Sequence, residues 1–439
     1  MSVPVFSYPP YPTTNKHIVF QFRGGPITIA EYMSEVLTNA TAGYYTRRDV
    51  FGTAGDFTTS PEISQMFGEM IGIWAVAMWQ QMGSPSKLRL VELGPGRGTL
   101  MADLLRGTST FSSFASALSI CFVEVSPVLR ELQFKNLNCV AQSNKSNAEQ
   151  ELSKEEGIVE AHTATTNIPV SWHRTLDDIP IANKNNIPTL YIAHEFLDAL
   201  PVHQFQKSKQ GLWCERLVDE DSHSTDNPHH FRLVLSPGTT PASRALLPRR
   251  LQGLSVTARA ALQGIEVCPQ AMALVEALAG RVQSQGGAAL LIDYGQNRPY
   301  QGSLQGIKDH EPASIFASPG DVDLSAWVDF DALRLSVERS GCGARVFGPI
   351  SQGTLLHRLG IQARLQQLLE AVDGGQEDSP GAAGNPTAED LIHGYLRLVS
   401  NAGDNEYGVD GMGESYQAMC IVPGKLPTPP IGFEQESSS

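Results

Sequence analysis

LRLVEL (88–93) runs without a break into GPGRGT and then into LMADLLRG. A short apolar run that stops at clustered glycines and restarts with helical spacing reads as strand, tight turn, helix. Glycines let the main chain bend sharply and let a ligand approach bare backbone. A strand buried on both faces needs helices above and below its sheet, and few architectures supply them. The pattern recurs along the chain. SICFVEVS (119–126), the start of PTLYIAHEFLDALPVHQF (188–205) and GAALLIDYG (287–295) read as apolar strands. CPQAMALVEALAGRV (268–282), VDFDALRLSVERSG (328–341) and IQARLQQLLEAV (361–372) read as helices. This alternation predicts an α/β fold: a doubly wound, mostly parallel sheet with helices on both faces. GLWCERLV (211–218), HHFRLVL (229–235) and the late run YQAMCIV (416–422) predict antiparallel additions.

Four stretches divide the chain. Residues 1–23 are an irregular Pro- and Tyr-rich lead-in, and 24–87 form an N-terminal helical and lid segment. Residues 88–422 form the main domain with insertions, and 423–439 are a tail expected to be disordered. In the second stretch, ITIAEYMSEVL (27–37) has helical spacing with Thr28 placed to cap it, and 61–82 read as one long helix. The polar stretch 141–168 reads as an insertion loop, and 373–387 as a flexible one.

Composition narrows the class. Lys and Arg total 32 against 46 Asp and Glu, a net charge of −14. Nucleic acids and anionic membranes call for positive surface, so neither is expected as a general partner. The longest dense apolar run, 70–79, is half the ~20 residues that span a bilayer, so no membrane insertion is expected. The six cysteines are nowhere closer than eighteen positions apart, which gives neither zinc spacing nor a disulfide scaffold; no metal is expected. The first residues lack both the apolar core of a secretory signal and the Arg-rich character of a transit peptide.

The glycine turn carries the chemistry. VELGPGRGT sets Gly94, Gly96 and Gly98 just after the strand. In a doubly wound sheet that is where ligands sit, at the carboxyl ends of the strands. The dinucleotide fingerprint G-x-G-x-x-G is not met, because the third glycine comes one residue early. E-x-G-x-G-x-G instead resembles the cofactor turn of S-adenosylmethionine-dependent methyltransferases, with Glu92 as its leading acid. Glu124 closes the next strand, where a carboxylate can accept from both hydroxyls of a ribose. Glu195 and Asp198 lie just beyond the strand in LYIAHEFLDALP. Such a pair can hold a guanidinium by bidentate hydrogen bonds, or can simply cap a helix. The loop 43–64, with Asp56, Thr58, Thr59, Ser60 and aromatic neighbours, reads as a lid.

GPITIAEYM, GYYTRRDVFGTAGDFTTSPEISQMFGE, LVELGPGRGTLMADLLR, AHEFLDALPVHQF, ALLIDYG, GDVDLSAWVDF and GPISQGTLL together resemble the MidA-like family of S-adenosylmethionine-dependent methyltransferases, over about 24–422. The resemblance implies a methyltransferase-type sheet and S-adenosyl-L-methionine as cofactor. It implies cofactor contacts from Glu92, Gly94, Gly96, Gly98, Glu124 and Asp56; if an arginine is the methyl acceptor, Glu195 and Asp198 are the catalytic candidates, either one orienting the guanidinium or accepting its proton. The family's acidic turn usually has Asn and Phe where this chain has His194 and Leu197. Its mitochondrial members assemble complex I and symmetrically dimethylate an arginine of the 49-kDa core subunit, which implies protein arginine methylation in the matrix. Two other functions fit the same turn: a cofactor-binding assembly chaperone without turnover, and an NAD-dependent oxidoreductase. The sequence does not fix the oligomeric state.

Overall fold

Residues 25–39, 43–47, 58–141, 159–181, 186–221, 229–373, 386–401 and 409–434 are described in a computed structural model. Period-two alternation in its short strands sorts their side chains onto two faces. Leu90, Ile120, Ile192, Leu290 and Ile292 point into one core, under the helices Gln65–Gln81 and Thr99–Gly107. Their neighbours Val91, Cys121, Tyr191, Ala193, Ala289 and Leu291 point into the other, under Pro269–Gln285 and Phe330–Ser340. The sheet is covered on both sides, as the sequence pattern predicts.

The main sheet is built from β1 (Leu88–Leu93), β2 (Leu118–Val123), β3 (Cys139–Ala141), β4 (Val159–Thr163), β5 (Pro169–His173), β6 (Thr189–His194), β7 (Gly287–Gln296), β8 (Arg345–Ser351) and β9 (Tyr416–Val422). Their spatial order is β8-β9-β7-β6-β1-β2-β5-β4-β3. β7, β6, β1, β2 and β5 run parallel, while β9 lies antiparallel between β7 and β8. From β1 the chain moves outward through β2 to β5, then returns to the other side of β1 as β6. That reversal opens a crevice at the carboxyl ends of β1 and β6, the usual ligand position in open α/β sheets.

The antiparallel additions are present. Strand Trp213–Glu220 pairs with Phe231–Leu235 on one side and with His203–Lys207 on the other. Helix Ile29–Thr38, with Thr28 and Glu31 forming a capping box, packs on this smaller sheet through Tyr32, Met33 and Val36. Strand Asp323–Ser325 and the apolar residues Val322 and Leu324 close the same cluster.

Three expectations need correction. The stretch 141–168 is not all loop: Val159–Thr163 is a strand of the main sheet, paired antiparallel with β3 and β5. The helix read over 61–82 is broken at Ser64, whose extended backbone (φ −158°) ends Ser60–Ile63 and whose hydroxyl caps Gln65–Gln81. Periodicity does not register such a break, because a capping residue costs the apolar stripe only one position. The tail carries Leu426 and Phe433 into the core, so at least 423–434 are packed, not disordered. Most of 373–387 lies outside the described residues.

Candidate active site

The turn after β1 needs its glycines for stated reasons. Gly94, Gly96 and Gly98 have φ of +63°, +52° and +80°, a region that side chains disfavour. The N–H of Gly94 donates to Val123 O at 3.0 Å and pins the turn to the end of β2. A Cβ on Gly94 would lie 2.5 Å from the Phe196 ring. The close neighbour at this glycine is thus a side chain of the acidic turn, and the two turns pack directly on each other. Gly98 is the left-handed N-cap of helix Thr99–Gly107 and packs on Gln133 and Leu137.

Glu124 follows β2 and is buried. Its Oε1 accepts from Ser126 N at 2.8 Å, and its Oε2 from Gln133 Nε2 at 3.3 Å. Gln133 also donates to Gly96 O at 2.6 Å and accepts from Trp172 Nε1 at 2.9 Å. One buried amide therefore locks the glycine turn to the acid. No sequence signal marked Gln133, since its role depends on which face of helix Pro127–Asn136 meets the turn.

The third wall comes from β6 and β7. Glu195 has φ +47°, strained for a residue with a side chain, and its N–H donates to Ile292 O at 3.0 Å. Its Oε1 accepts from Ser60 N at 3.1 Å and Ser60 Oγ at 3.3 Å. Asp293, fully buried on β7, holds the turn itself. Its Oδ2 accepts the N–H groups of Phe196, Leu197 and Asp198 at 3.1, 2.8 and 3.3 Å, and its Oδ1 that of Tyr294 at 2.9 Å.

These walls enclose a cavity of about 520 Å³ lined by Gly94, Gly96, Glu124, Glu195 and Asp198, and also by Tyr294, Asp323, Trp327 and Tyr416. A second cavity of about 40 Å³ lies behind the turn. Glu92 and His194 line it, with Gly94, Gly96 and Glu195 shared between the two. Five of the expected site residues thus meet at the main cavity. Glu92 lines the small cavity instead, Gly98 supports the turn from outside both, and Asp56 lies outside the described residues.

Residues 70–350 match the profile of a family described as "Putative S-adenosyl-L-methionine-dependent methyltransferase". The chain belongs to this family. The match covers more than half of the sequence and spans the glycine turn, Glu124, the acidic turn and Asp293. It overturns the nicotinamide alternative. Among relatives, the Xenopus tropicalis protein arginine methyltransferase NDUFAF7, mitochondrial, is 37% identical over 430 residues, 95% of this chain and 89% of that one. The mouse protein of the same name is 39% identical over 415 residues, 93% and 84% of the two chains. A Drosophila melanogaster homolog is 39% identical over 416 residues, 93% and 85%. A crystal structure of a COG1565 superfamily member from Burkholderia thailandensis, bound to S-adenosyl-homocysteine, shares the fold with a TM-score of 0.66. It is 24% identical, with 93% of this chain and 91% of that chain covered.

The family's cofactor suits the crevice on its own terms. The cavity falls within the roughly 300–1,000 Å³ of small-molecule sites, and the Glu124 carboxylate retains acceptor capacity beyond its two partners. Electrostatics differ around it. Burial pushes the Glu195 carboxyl up to about 8, reinforced by Asp198 and Glu62 against the pull of Ser60. Burial lifts Asp198 to about 6, with a Tyr294 hydrogen bond pulling the other way. Asp293 is raised further by burial and by the charges of Asp198 and Glu195, against its N–H donors. Burial also lifts Glu92 to about 8 and lowers His194 to about 3, so that imidazole is neutral.

Proposed function

We propose that the chain methylates a protein arginine, with the 49-kDa core subunit of mitochondrial complex I as acceptor and symmetric dimethylarginine as product. The observation that carries this reading is the acidic wall of β6 and β7, which faces the glycine turn across one cavity and suits a cationic acceptor. The NDUFAF7 relatives, named protein arginine methyltransferases and mitochondrial, support it, and the reading puts the chain at work in the matrix.

S-adenosyl-L-methionine supplies an electrophilic methyl group on a positive sulfur. Gly94 and Gly96 would receive it on bare backbone, and Glu124 would hold the ribose hydroxyls. The acceptor guanidinium is protonated, with a pKa above about 12, so a proton has to leave as its nitrogen becomes nucleophilic. Asp198 orients the guanidinium, and Glu195, raised toward neutrality, accepts the proton. Burial keeps water out and strengthens both interactions.

The test is incubation of the full chain with labelled S-adenosyl-L-methionine and recombinant 49-kDa subunit, followed by mass mapping. Label on one arginine as symmetric dimethylarginine is the expected result. Label on lysine, or none while S-adenosylhomocysteine still binds, would overturn the assignment.

A further inference from the structure

The main cavity is also lined by residues to which the sequence assigns no role. Asp323 belongs to the three-residue strand Asp323–Ser325, outside the main sheet, and lines the cavity together with Asp198. It is buried and accepts a hydrogen bond from Tyr45 Oη at 2.9 Å. The same strand is tied to the acidic turn, because Ala326 N donates to the carbonyl of Asp198 at 2.9 Å. Both carboxylates bear on one hydroxyl: after burial, the charges of Asp323 and Asp198 raise the Tyr45 pKa. Aromatic rings line the same cavity. Tyr294 meets Trp327 edge-on at 5.8 Å and Tyr416 at 5.7 Å.

Glu195 is placed differently. Its Oε1 is held by two donors of Ser60, and His194 Nε2 lies 3.3 Å away. It braces β6 against the segment that enters helix Ser60–Ile63. A methyl acceptor carrying a guanidinium puts a second positive charge beside the sulfonium in a buried site. Buried charges need partners, and five planar N–H donors need more than one carboxylate.

Resting on the arginine reading above, we infer that Asp323 and Asp198, walled by Tyr294 and Trp327, form the seat that selects a planar guanidinium, while Glu195 is left for proton acceptance. Asp323 is a specificity-determining residue of this seat. Tyr45 holds its carboxylate in place from the N-terminal segment.

The test uses the full chain loaded with S-adenosylhomocysteine and titrated calorimetrically with ethylguanidinium, ethylammonium and ethylurea. The wild type should bind ethylguanidinium at least about tenfold tighter than neutral ethylurea, and tighter than ethylammonium. Asp323→Asn should lose about tenfold of the ethylguanidinium affinity while S-adenosylhomocysteine binding stays within about twofold. Unchanged ethylguanidinium affinity in Asp323→Asn overturns the seat. If that variant fails to fold, the wild-type series decides: equal affinity for ethylurea and ethylguanidinium overturns it equally. Failure of the wild type to bind S-adenosylhomocysteine would instead remove the methyltransfer reading beneath, and the seat with it.

Discussion

The two sides of the crevice are built by different means. The β1–β2 side is main chain: three left-handed glycines, the ordered amide of Gln133 and a single carboxylate, Glu124. The β6–β7 side is charge: Glu195, Asp198 and Asp293 are buried together, each raised above its ordinary range. Shape rejects anything that fills the turn, whatever the pH. Charge discriminates by protonation state and responds to pH. Division of labour follows: the first side should set cofactor affinity, and the second should set rate and acceptor choice.

The strongest test of that division is Glu195→Gln combined with Asp198→Asn. Losing both proton acceptance and orientation should lower methyl transfer at saturating substrate by about a thousandfold, with S-adenosylhomocysteine affinity nearly intact. An unchanged rate would remove both residues from the chemistry. Gly94→Val should do the converse. A branched side chain at φ +63°, driven into the Phe196 ring, should weaken S-adenosylhomocysteine by about a hundredfold in calorimetry. Because Phe196 belongs to the acidic turn, this variant also asks how independent the two sides are. Glu124→Gln keeps the shape and removes the charge, and about tenfold weaker cofactor binding without a changed acceptor preference is expected.

The smallest effect concerns Glu92, which is on β1 but lines only the small cavity. Its carboxyl is raised from 4.5 to about 8 in the folded state. The folded protein therefore retains a proton that the unfolded chain releases, and stability present below about pH 4.5 is lost progressively as pH rises to about 8. Glu92→Gln removes this contribution, so its Tm should fall less than that of the wild type between about pH 5 and 8. Parallel curves would mean that Glu92 is ionised in the native state.

The glycine turn and the strands around it were readable because each is a local signal: an apolar run, clustered glycines, then helical spacing. Glu195 and Asp198 were readable because they sit within four residues of each other. Asp293 was not, since in ALLIDYG it is one acid ending a buried strand. Its function appears only when the register of β6 and β7 brings it under the N–H groups of residues 196–198. Asp323 stands 125 residues after Asp198 in sequence, and only the pairing of its strand with Gln305–Lys308 and its packing on the cluster of helix Ile29–Thr38 carry it back to the cavity. Leu426 and Phe433 were hidden in the same way, as isolated apolar residues in a proline-rich tail whose burial depends on what lies beneath.

The antiparallel strand β9 has a consequence for how the molecule comes into being. It is an interior strand, bonded to β7 along one edge and to β8 along the other, yet it is the last strand of the sheet to leave the ribosome. Until residue 422 has emerged, two apolar edges stay unpaired, and Tyr416 is missing from the crevice. From the completion of β7 to the emergence of β9, more than a hundred residues of chain are added while an apolar strand edge stands open to self-association, and the wall of the crevice that Tyr416 supplies is the last to be set in place.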